Sequence, residues 1–240
     1  MRLRDGVQVA STVHFDVFVP RGSPLAERAE AVVAVAEQVL PSVEARLATP
    51  LRGRVRLALV PAAMAPPPCE PRAAAMPSRR RIVLFAGPVT MEPRALAAFL
   101  AHELGHQLTF DRWEAIGSDR RLSEGVATWA AEPYWLAWRG WPSMEAGVRD
   151  LRAADAFGPL AETREGCLVA AERDVYYSAW ASFVAYLGRE YGWDRFGEAL
   201  RLPAAGEDLA DYVGAYGTLL EELIAGWERE LAAADPARVR

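Results

Sequence analysis

Ala101-His102-Glu103-Leu104-Gly105-His106 is the stretch on which the reading of this chain turns. It has the spacing H-E-x-x-H. On a helix, residues four apart share a face, so His102 and His106 can aim two imidazole nitrogens at one metal ion. Glu103 then stands beside that metal, where a carboxylate can take a proton from activated water. The chain has 3 histidines and two of them fall here, so composition alone does not account for the pattern. The reading requires a helix around the motif and a third ligand after it.

The flanks supply the helix. Pro88 to Pro93 is punctuation, with Thr90 as a cap and a proline tolerated in a first turn. From Arg94 to Leu104 there is neither Gly nor Pro. Leu96, Phe99, Leu100, Leu104 and Leu108 cover more than one stripe, which predicts a buried helix. Buried His and Glu need partners, because an unsatisfied polar group costs about 1–3 kcal/mol. A metal ion would be such a partner. Thr109 to Arg121 is polar, carries Gly117 and reads as a loop. Leu122 to Arg139 reads as a second helix starting near Ser123.

A catalytic zinc takes three protein ligands and leaves one position open. The acids that follow are Asp111, Glu114, Asp119, Glu124 and Glu132. Asp111 and Glu114 lie too close behind the first helix to fold back onto it. Glu124 opens the second helix, after the 17 residues 107–123. Its neighbours Gly125 and Ala127 are small, as close helix packing requires. Glu132, two turns on, reads as a supporting or solvated acid.

The rest of the chain sets the frame. Its 240 residues are 52% hydrophobic and 25% charged, an ordinary globular composition. The net charge of −5 argues against a nucleic-acid partner. No apolar run is long enough to span a membrane. Met1 to Gly6 leads into no apolar signal-peptide core, so a cytoplasmic protein is expected. Cys69 and Cys167 are too few for a disulfide framework; they make one bridge or two free thiols, and free thiols are expected.

Thr12 to Val19 and Arg54 to Val60 alternate as strands. His14, the third histidine, sits on the wetter face of the first and is not expected to be a ligand. Leu25 to Leu47 is an amphipathic helix interrupted near Pro41. Pro61 to Pro77 reads as an exposed loop. Arg79-Arg80-Arg81 reads as a solvated strand end or a basic rim for acidic groups, and Ile82 to Ala86 as a short strand. Helical spacing resumes at Asp174 to Tyr191, Arg195 to Leu202 and Leu209 to Ala233. Strands first and helices afterwards make an α+β pattern.

His102-Glu103-Leu104-Gly105-His106 followed by Ser123-Glu124-Gly125-Val126-Ala127 resembles the gluzincin metallopeptidases, and most closely their peptidase MA-like group. The resemblance runs from about Thr12 to Leu231. It implies a zincin-like fold in a single domain over 1–240: a sheet and zinc helix in 1–110, then a helical part in 111–240. It implies Zn2+ held by His102, His106 and Glu124, with Glu103 as general base. It implies peptide or protein substrates. By position it carries an oxyanion-binding role to Tyr177, with Tyr176 adjacent, and makes Arg80 to Ala86 the edge strand along which a peptide lies. The segment that holds a free amine in related aminopeptidases has no counterpart in Ala74-Ala75-Met76-Pro77-Ser78, which favours internal cleavage. A zinc-binding scaffold without turnover is the alternative; retention of Glu103 favours the enzyme.

Overall fold

The structure is a computed structural model and describes residues 6–67, 69–115, 117, 119–160, 168–202 and 210–233. The chain is a mixed α/β protein, with a five-stranded mixed sheet at its N-terminal end and helices after it. It divides into two compact units. One comprises Met1–Arg112 with Ala130–Trp138, the other Trp113–Trp129 with Arg139–Arg240.

The first unit is built on alternation. Strands β1 (Gly6–Ser11) and β2 (Phe15–Pro20) form an antiparallel hairpin. The alternating stretch from Thr12 begins its strand only at Phe15, because Thr12 makes the turn: its Oγ1 accepts the Phe15 N–H. β3 (Val55–Pro61) lies parallel to β2, and β5 (Arg81–Ala86) parallel to β3. β4 (Ala73–Met76) runs antiparallel on the outside of β5, in the order β1-β2-β3-β5-β4. β5 is therefore interior, not the edge strand, and β4 takes the edge. Pro61 to Pro77 is accordingly no plain loop.

Phe15, Val17, Val55, Leu57, Leu59, Ile82 and Leu84 share one buried face of the sheet. The other face carries Ala58, Val60, Val83 and Phe85, with Ala65, Ala74 and Met76 packed against them. The 61–77 segment thus covers this second face. α1 (Ala29–Leu47) connects β2 to β3 and runs unbroken through Pro41. A proline in a helix interior forfeits one ladder bond, and here buried Val39, Leu40 and Val43 on either side hold the helix on course.

α2 (Pro93–Trp113) extends past Thr109, where the polar sequence suggests a loop. The polar side chains there serve tertiary bonds instead. Asp111 accepts from Arg80 Nη1 at 2.8 Å, from the Arg52 N–H at 3.0 Å and from Gln107 Nε2 at 3.2 Å. Arg112 Nη1 donates to the Leu47 carbonyl at 2.7 Å. Arg80 is thereby drawn out of the solvated arginine run and into the fold. The expected helix from Leu122 to Arg139 is two, α3 (Arg120–Ala130) and α4 (Glu132–Arg139), divided where Pro133 enters the first turn of α4. Glu132 pairs with Arg46.

The second unit is helical: α5 (Met144–Ala153), α6 (Ala170–Glu190), α7 (Trp193–Arg201), α8 (Ala210–Tyr216) and α9 (Leu220–Ala233). Ser143 caps α5 by accepting the Ala146 N–H. α6 packs against α5, α7 and α9, and Trp227 of α9 donates to Ser182 of α6 at 3.0 Å.

Asp119 holds a buried cluster in this unit. Its carboxylate pairs with Arg121 at 2.7 Å and accepts the Tyr212 hydroxyl. Burial, then the Asp119 charge, pushes both Tyr212 and Tyr216 above the ordinary tyrosine range. Both therefore stay neutral in the fold while an unfolded tyrosine ionises near about 10. Their contribution to stability is complete below that pH and is lost as pH climbs beyond it. Unfolding free energy between pH 9 and 11.5 should fall by up to about 1.4 kcal/mol per pH unit for each such tyrosine. Tyr212→Phe should flatten that slope.

Cys69 is disulfide-bonded, so the free-thiol expectation fails for it. Cys167, the chain's other cysteine, lies outside the described residues. Among the described residues, no helix is long and apolar enough to cross a membrane.

Candidate metal centre

α2 is buried nearly all round, and His102 and Glu103 are each only 5% exposed. The four-residue spacing brings the two imidazoles together as a helix must. The His102 and His106 rings stand edge to face, 4.8 Å between centroids, with their Nε2 atoms 3.1 Å apart. Two nitrogens bound to one tetrahedral zinc at ordinary Zn–N distances would lie about 3.3 Å apart. Trp135 of α4 backs His102, its ring centroid 6.0 Å away. Trp135 in turn meets Trp138, and Trp138 meets Phe99, one turn before His102.

Glu124 lies on α3 and Tyr177 on α6. Gly125 lets these helices approach: a Cβ there would sit 2.7 Å from the Trp180 carbonyl oxygen and 2.7 Å from Val184 Cγ2. A real Cβ does not come that close to a backbone oxygen, so the helices would have to part. Gly125→Ala should cost about 1–3 kcal/mol, as overpacking does, and the loss is read from a urea unfolding midpoint. Gly125 thus faces α6.

That packing brings the Tyr177 hydroxyl up to the side chains of Glu124 and Arg120. Burial first, then the Glu124 carboxylate, raises Tyr177 far above its ordinary range, and Arg120 only partly opposes this. Tyr177 therefore remains protonated and remains a donor. Tyr176, its neighbour, faces elsewhere: its hydroxyl accepts the Gly158 N–H at 3.2 Å. Arg120 is a residue that motif reading passes over. It lies four positions before Glu124, on the same helical face, and its guanidinium sits 5.9 Å above the Trp180 ring. Helical spacing alone could have found it.

Among the described residues, His102, His106 and Glu124 are a group that could hold a metal ion. Two nitrogens and one carboxylate oxygen are the donor set that zinc accepts in open, catalytic sites. Three of the other four candidate acids are paired: Asp111 with Arg80, Asp119 with Arg121 and Glu132 with Arg46. His14 stands apart from the centre, with its Nδ1 2.7 Å from Glu37.

No protein-family model matches the chain, and no curated protein matches it.

Proposed function

We propose that the chain is a zinc-dependent peptidase of zincin-like architecture, cleaving bonds within extended peptides. The observation that carries the proposal is the pair of imidazoles on buried α2, 3.1 Å apart at Nε2, with Glu103 between them in sequence. His102, His106 and Glu124 would hold the metal. When bound, zinc supplies Lewis acidity that lowers the pKa of a water toward about 7 and polarises a carbonyl. The Glu103 carboxylate takes a proton from the attacking water and passes it to the leaving nitrogen. An extended peptide adds to the free edge of β4, pairing by backbone hydrogen bonds as an outer strand does.

Tyr177 has a single hydroxyl hydrogen. While that hydrogen is shared with Glu124, it orients the carboxylate rather than the reacting carbonyl. Tyr177→Phe separates the two roles. As a positioning residue, Tyr177 should, when replaced, lower zinc affinity about 10–100-fold. As an oxyanion donor it should lower kcat with zinc affinity unchanged. The Glu124 contact leads us to expect the first result from a competitive zinc titration.

The test of the function is a peptide-library digest with the zinc-loaded chain, after chelation and after zinc add-back. Internal cleavage that disappears with the metal and returns with it supports the proposal. A library untouched in every state, by a chain that does bind zinc, favours a scaffold role instead.

A further inference from the structure

The run Arg79-Arg80-Arg81 does not act as one unit. Arg80 is committed to Asp111, which leaves Arg79 and Arg81. Arg81 opens β5, and its partner across the parallel ladder is Arg56 of β3. Adjacent strands lie about 4.8 Å apart, and residues paired in a ladder point to the same face. Two guanidinium groups therefore rise side by side on the sheet face that carries Ala58, Val60, Val83 and Phe85. Arg79, exposed in the short helical turn before β5, is near enough to repel Arg81.

Among the described residues, no hydrogen bond or ion pair engages the guanidinium of Arg56, Arg79 or Arg81. One nitrogen of Arg81, Nη2, is buried and lacks a hydrogen-bond partner. Across the β2–β3 ladder Arg56 is paired with Asp16, which Arg54 already occupies through Nε at 3.1 Å and Nη2 at 2.6 Å. Asp16 feels the Arg56 charge, but among the described residues no acid forms an ion pair with Arg56, Arg79 or Arg81. Like charges packed together without a counter-ion raise the energy of the folded state, and an anion relieves that cost.

We propose that Arg56, Arg79 and Arg81 form an oxyanion-binding site at the end of this sheet face where β5 begins, with Arg81 as its bidentate centre. Its ligand chemistry is a phosphate or carboxylate group, which the planar guanidinium fork fits. The proposal is independent of the metal centre, and its test needs no turnover.

The test uses the intact chain at fixed ionic strength, titrated with inorganic phosphate and separately with a triglutamate peptide, followed by calorimetry. The variants are Arg81→Gln and Arg79→Gln, with Arg21→Gln, a surface arginine in another turn, as the control. Saturable binding that weakens about tenfold in Arg81→Gln, as expected for loss of a charge-assisted bond pair, supports the site. It should also weaken in Arg79→Gln and stay unchanged in Arg21→Gln. Binding of phosphate alone makes the ligand a phosphate; binding of triglutamate alone makes it an acidic peptide. Arg79→Gln, being exposed, keeps the test valid if Arg81→Gln does not fold. No saturable binding to the parent, or equal binding to parent and variants, overturns the proposal.

Discussion

Replacing Glu103 by Gln should leave zinc in place and lower peptide cleavage by about 10²- to 10⁴-fold, the range of a lost general base. The amide has nearly the size of the carboxylate, so the buried site around it keeps its packing. His102, His106 and Glu124 are untouched. What disappears is the capacity to hold a proton between the attacking water and the leaving nitrogen. The measurement is kcat/KM on a library-derived peptide, with zinc content determined on the same samples. Cleavage retained within a few-fold would remove Glu103 from the proposed role.

Asp111→Ala should produce the largest loss of stability, about 3 kcal/mol, the lower end of what breaking a buried ion pair costs. The Asp111 side chain is 3% exposed and Arg80 is 29% exposed, so the stranded guanidinium recovers part of its solvation. Three donors, from Arg80, Arg52 and Gln107, lose their acceptor together. The contact also ties the end of α2 to the start of β5, so the helix that carries both histidines is loosened at its anchor. Replacing both partners, Arg80→Met with Asp111→Leu, should restore most of the loss. Urea unfolding of the single and double variants checks this; a single-variant cost below about 1 kcal/mol would contradict the anchoring role.

These two residues show how unevenly the structure could be read from sequence. Strong alternation marked β2 and β3, because one face of each is fully buried. β1 and β4 bury neither face fully, and β4 is nearly all alanine, so neither carries a two-residue hydrophobic signal. β5, the edge strand that the resemblance implies, is interior because β4 pairs outside it. The end of α2 was hidden for a different reason: Thr109, Asp111 and Arg112 are polar, and polarity within a helix that anchors another element looks like a loop. Pro133 marks the break between α3 and α4, although Leu122 to Arg139 reads as one helix by its spacing. The H-E-x-x-H spacing was fully legible because both histidines lie on one helix. The pairing of Glu124 with Tyr177 depends on α3 meeting α6 at Gly125, a contact between segments some fifty residues apart in sequence. Local pattern carries no information on that distance.

The most direct test of the metal centre is zinc bound per chain, measured by mass spectrometry after stripping, add-back and desalting, for the parent and for His106→Ala and Glu124→Ala. The account predicts one zinc per parent chain, and a large loss in both variants while circular dichroism shows them folded. A parent that binds no zinc, or variants that bind it as fully as the parent does, would contradict the assignment of His102, His106 and Glu124 as its ligands.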